Sequence, residues 1–173
     1  MLVFRALVEH EADPGFRRRL LAGKVEDMLN TVVRQIAFHE FELRVHQERR
    51  NGELSSRRLG EIWLDVQRES LGPAIRFDDE YRFYWAYIPH FVHSPFYVYA
   101  YAFGDCLVNS LYQVSREASA GFPDAYLEML RRGGTLRHRD LLAPFGLDAR
   151  DPGFWRKGLD VIVGFIDELE ALC

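Results

Sequence analysis

Apolar residues recur along most of the chain three and four positions apart, the spacing that lays one stripe along a helix. Leu21, Val25, Met28, Leu29, Val32, Ile36 and Leu43 follow it without a stop signal until Asn51-Gly52. One helix over about 14–50 is the consequence, roughly 36 residues or 54 Å long. Asp13-Pro14 opens it, an N-cap followed by a proline at the first helical position. Met1 to His10 reads as a short helix before it, and Ser55 or Ser56 caps a third, carrying Leu59, Ile62, Trp63 and Val66 to Gly72-Pro73. Ser94-Pro95 starts another through Tyr101 and Leu111 to about Ala118, Phe122-Pro123 one ending at Gly133-Gly134, and Asp151-Pro152 a last one to the C-terminus. No alternating run bounded by hairpin residues appears, so the expectation is an all-α fold without strands.

The stretch at about 77–94 breaks the pattern. Tyr81, Phe83, Tyr84, Trp85, Tyr87 and Phe91 crowd it, and Pro89 interrupts any helix, so a folded aromatic-rich loop against the core is expected. At 173 residues and 48% hydrophobic, residues 1–173 are expected to form a single compact helical domain. No internal repeat or low-complexity tract is visible.

Charge removes one class of partner. A net charge of -4 offers no general attraction for phosphate backbones, and the short basic runs Arg17 to Arg19 and Arg49-Arg50 have acidic neighbours, so nucleic acid is not expected. The first ten residues are too short an apolar run for a membrane span and lack a basic leader. Cys106 and Cys173 are far apart and do not make a disulfide framework. The expected location is the cytoplasm.

His39-Glu40 invites a search for a zinc motif. In H-E-x-x-H two histidines project from one helix face at i and i+4, with a glutamate between them to activate water. Here the fifth position is Leu43. His39, Glu42 and His46 share a face, yet i to i+7 spans two turns, about 10.5 Å, too far for two histidines to chelate one ion. They read as solvated or hydrogen-bonded helix histidines, and His10 and His138 stand alone. Neither a nucleophile elbow nor a nucleotide-binding loop occurs.

The run from Ile88 to Tyr101 is more informative. Tyr97, Tyr99 and Tyr101 alternate, so on a helix they cannot all face one core, and each hydroxyl needs a partner if buried. A histidine beside several phenols suits hydrogen bonding to a developing oxyanion. Packing aromatics at the edge of a bundle is the other reading of the same residues.

The order Ile88-Pro89-His90-Phe91, then Pro95-Phe96-Tyr97-Val98-Tyr99-Ala100-Tyr101-Ala102, resembles the signature of oligoendopeptidase F, a branch of the thimet oligopeptidase-like zinc peptidases. Asn30-Thr31-Val32-Val33-Arg34-Gln35, Phe38-His39-Glu40-Phe41-Glu42, Gly52-Glu53-Leu54 and the closing Asp151 to Leu169 resemble further elements of that family in the same order. The resemblance covers essentially the whole chain and implies the C-terminal part of such an enzyme.

It also implies a division of labour. The family's three zinc ligands would lie upstream of Met1, so the resemblance implies zinc in the complete enzyme, no cofactor in this chain alone, and no catalysis by it alone. His90, Tyr97, Tyr99 and Tyr101 map onto family residues that contact substrate and oxyanion. Val92 stands where the pattern has Tyr, and His93 matches no family role. Implied partners are short peptides, once the missing part is supplied, and either a missing peptidase half or a second copy, since an uncovered face would favour dimers. A non-enzymatic helical scaffold or self-association module built on the same fold is the alternative.

Overall fold

The computed structural model describes residues 1–117 and 121–172, and all the secondary structure among them is helical. Ala118, expected to end one helix, and Cys173 lie outside the described residues. The chain forms two compact units, Met28–Phe103 and a second built from Met1–Asp27 with Gly104–Cys173.

In chain order the helices begin with α1, Leu2–His10, and α2, Pro14–Thr31. The Asp13 carboxylate accepts the Gly15 N–H at 2.8 Å, the expected cap. α3, Val33–Arg49, follows after the single residue Val32 (φ -105°, ψ -68°). Val32 N–H still donates to Met28 at 2.9 Å and Ile36 N–H to Val32 at 3.0 Å, so the hydrogen-bond ladder runs on and the two segments join into the expected long helix. Its stripe is not quite the one read from spacing. Leu21, Val25, Met28 and Val32 are buried, whereas Leu29 and Ile36 are exposed and Ala37, Phe38 and Phe41 take the inward positions.

α4, Ser56–Leu71, is capped by Ser55, whose hydroxyl accepts the Arg58 N–H, and closed by Gly72 at φ 70°. α3 and α4 pack as a hairpin around Trp63, which stacks on Phe38 at 5.5 Å and meets Phe41 edge-on at 5.3 Å. Trp63 is fully buried, and emptying such a site costs about 3–5 kcal/mol. Arg58 bonds Glu48 across the pair at 2.6 Å, an exposed ion pair of the kind that adds little stability.

The aromatic stretch is more ordered than the loop expected at about 77–94. Asp79–Tyr87 forms 3-10 turns and His90–His93 a single helical turn, α5. Gly60 lets this stretch approach α4, because a Cβ there would lie 3.1 Å from both the Cβ and the carbonyl oxygen of Arg82. α6, Tyr99–Glu117, starts four residues later than Pro95 would place it. Phe96 is the reason: its φ of 60° cannot belong to a right-handed helix.

α7, Phe122–Arg132, and α8, His138–Leu142, precede α9, Pro152–Glu170, which Asp151 caps by accepting the Gly153 N–H. In the unit containing both chain ends, Phe4 of α1 meets Phe165 of α9 edge-on at 5.6 Å, and the Arg5 guanidinium lies 3.8 Å above the Phe165 ring. Arg5 and Arg17 both bond Glu168, Arg17 at 2.9 Å. No helix among the described residues is long and apolar enough to cross a membrane.

Candidate functional site

Phe91 decides where His90 points. Its ring enters the α3–α4 core, 5.0 Å from Phe41 and 5.7 Å from Phe38, and this anchors α5. The histidine beside it stays half-buried at the surface of the same unit. Val98, with no exposed surface, anchors the approach to α6 in the same way. Tyr97 just before it and Tyr101 one turn later then fall on one side.

His90, Tyr97 and Tyr101 meet there. His90 Nε2 and the Tyr101 hydroxyl share a 2.9 Å hydrogen bond, in which either group can donate according to the imidazole tautomer. The His90 and Tyr97 rings are parallel within 3° at 6.4 Å, and Tyr97 meets Tyr101 edge-on at 5.7 Å. Tyr97 is 52% exposed and Tyr101 38%. The structure brings together three of the four residues singled out from the sequence. Tyr99, two positions from Tyr97 and so turned to another face, lies against His39 at 6.0 Å and is also exposed.

Chemically, the group offers two phenols and an imidazole at an open surface. Such donors can hydrogen-bond a peptide carbonyl and hold the negative charge that grows on its oxygen during attack. The same unit holds an apolar recess of about 260 Å³ lined by Phe41, Val45, Phe91 and Val92 together with Glu42 and His46.

Glu42, which spacing placed on one face with His39 and His46, is tied to a distant turn. It is 2% exposed, and its Oε1 accepts the backbone N–H of Phe96 at 2.8 Å. Phe96 is the one non-glycine residue with positive φ among the described residues, a conformation costing about 1–2 kcal/mol for an L side chain. Its ring sits 4.8 Å from His46 and 6.1 Å from His39. The face formed by His39, Glu42 and His46 therefore grips a turn. The signal available beforehand was an acid enclosed by Phe38, Phe41 and Val45 on the inward stripe.

Among the described residues no group of three or more His, Cys, Asp or Glu side chains could hold a metal ion. The residues present do not fit the zinc that the sequence resemblance implies, and no step proposed below runs through a metal held by this chain.

Comparison with known proteins places this geometry in a family. The model of peptidase family M3 matches residues 1–161. An oligoendopeptidase F homologue of Borreliella burgdorferi is 31% identical over 96% of this chain, which covers 28% of that protein. Oligopeptidase PepF of Bacillus subtilis is 29% identical over 96% of the chain, covering 25% of its length. The crystal structure of oligoendopeptidase-F from Enterococcus faecium superposes with a TM-score of 0.86 at 27% identity, over 98% of this chain and 33% of that one. The chain thus spans about a quarter to a third of the proteins it matches, and with the M3 model matching from Met1 to Val161 it belongs to peptidase family M3.

Proposed function

We propose that this chain is the substrate-side part of a peptidase acting on short peptides, in which His90, Tyr97 and Tyr101 bind the peptide and stabilise the oxyanion formed at its scissile carbonyl. The observation that carries this reading is the exposed His90–Tyr97–Tyr101 group with its 2.9 Å hydrogen bond. Aromatic rings conserve stability by burial, and Tyr97 stays 52% exposed. Tyr99 stands apart, and on this reading it contacts a more distant part of the peptide beside His39. The nucleophile and the metal that activates it would come from the remainder of an M3 peptidase. On this reading the working compartment is the cytoplasm.

Hydrolysis of a quenched fluorescent peptide tests the proposal. The chain alone should give no turnover with zinc present, and a protein that joins it to the family's upstream region should cleave the peptide. Replacing Tyr97 or Tyr101 by Phe in that longer protein should then lower kcat by about 10²-fold, the scale for losing one oxyanion donor. Unchanged kcat in both variants would remove these residues from the reaction, and no cleavage by the joined protein would favour a scaffold or self-association role for the fold.

A further inference from the structure

We propose that Glu42 is a positioning residue for the His90–Tyr97–Tyr101 group, acting through Phe96; the functional meaning of this role rests on the peptide-binding reading above. A buried carboxylate is costly unless something in the fold requires it. Glu42 is 2% exposed, and its Oε2 finds no hydrogen-bond partner, while Oε1 takes the Phe96 N–H at 2.8 Å. That single bond joins the middle of α3 to a turn 54 residues further on. The turn is the point where the backbone is held at φ 60°, out of line with the helix that follows.

Everything downstream depends on this turn. Tyr97 is the next residue, its N–H donating to Ser94 at 3.1 Å and its carbonyl accepting the Ala100 N–H at 2.9 Å. Tyr101 follows one turn later and reaches His90. His90 itself is fixed separately, through Phe91 in the core. The two halves of the site, joined through Ser94, which donates to the His90 carbonyl and accepts from the Tyr97 N–H, reach α3 at two points, Phe91 onto Phe38 and Phe41, and Phe96 onto Glu42, His39 and His46. Their alignment is set by how firmly Glu42 holds Phe96. What Phe96 requires of residue 42 is an acceptor at the right reach and not a negative charge, because the bond is to a neutral backbone N–H.

The test is made on this chain without substrate, by following the ring nitrogens of ¹⁵N-labelled histidine. In the wild type, His90 Nε2 should carry the shift of a hydrogen-bonded nitrogen, and Tyr101→Phe should abolish it, which assigns the signal. Glu42→Gln keeps an acceptor oxygen and should retain the signature. Glu42→Ala should lose it and bring the His90 shift to that of a solvated ring, with helical circular dichroism and a cooperative melt preserved. Should Glu42→Ala not fold, Glu42→Asp, which withdraws the carboxylate by one methylene, should show the same loss.

An unaltered His90 signal in a folded Glu42→Ala or Glu42→Asp chain would overturn the proposal. So would a Glu42→Gln chain that loses the signal as completely as Glu42→Ala. Glu40→Ala, which removes only the exposed pair with Arg44, is the control expected to change nothing. Short-peptide affinity measured on the protein that joins this chain to the family's upstream region separates the two ideas. A joined protein that binds no peptide counts against the functional reading, while the histidine signal still decides the role of Glu42.

Discussion

Gly158 of α9 lies directly against Cys106 of α6: a Cβ at position 158 would stand 2.9 Å from the Cys106 Cα and carbonyl oxygen. The obstructing atoms are backbone, which cannot rotate away. Gly158→Ala should therefore destabilise the chain by about 1–3 kcal/mol, the range for overpacking. Gly164 sits in the same helix with nothing within 4 Å of its virtual Cβ, so Gly164→Ala should stabilise by up to about 1 kcal/mol through helix propensity. Thermal melts of the two variants should shift in opposite directions.

Cys106 is buried in the same contact. Burial, with a smaller contribution from Asp105, pushes its thiol up to about 11. In a Cys173→Ser chain at pH 8, a disulfide reagent should react with Cys106 only as fast as the protein opens. Adding denaturant to the midpoint should speed the reaction by orders of magnitude, and rapid labelling of the native chain would contradict this packing.

Glu168 links acid stability to the two guanidiniums that bind it. Its partial burial would raise the carboxyl, but the hydrogen bonds from Arg17 and Arg5 outweigh this and hold it below the usual glutamate range. A carboxyl depressed in the folded state contributes stability above its unfolded value and loses that contribution as pH falls through the folded one. Glu168→Gln should cost about 1 kcal/mol or less at pH 7, given the partial exposure of the pair. The difference from wild type should fade below about pH 4 in denaturant titrations.

Leu2, Val3 and Leu7 of α1 are exposed by 68, 84 and 50%. In the same unit, Leu2 and Val3 line an apolar recess of about 290 Å³ with Val108, Leu111 and Tyr126. Such a face favours association. Sedimentation velocity should show mass rising with concentration, and Leu2→Glu with Val3→Glu should reverse it. A strictly monomeric wild type at high concentration would remove this face as a contact surface.

How far the sequence exposed this fold depends on the range of the interaction involved. Asp13, Ser55 and Asp151 cap helices through bonds to residues two or three positions away, so spacing alone located those starts. Pro95 misled because α6 starts only after the turn at Phe96, whose N–H bonds Glu42, 54 residues back, and no local pattern carries that bond. Leu29 and Ile36 fit a helical stripe but point outward, because Ala37, Phe38 and Phe41 supply the face that meets Trp63. At the candidate site, motif resemblance singled out His90 and the tyrosines. Tyr97 and Tyr101 join His90 while Tyr99 goes to His39, an arrangement that depends on the buried Val98 and on the turn at Phe96.

The α3–α4 hairpin carries a consequence for how the molecule reaches this state. Its helices are joined by the six residues 50–55, and the rings that meet in it, Phe38, Phe41 and Trp63, lie close together along the chain. Closing so short a loop costs little entropy, and contacts of low sequence separation form fast. The hairpin should therefore assemble before the Glu42–Phe96 bond, whose partners must find each other across 54 residues. In stopped-flow refolding of a chain carrying Trp85→Phe and Trp155→Phe, Trp63 emission would then change early, and Tyr97 and Tyr101 would be the last part of this unit to take their places beside His90.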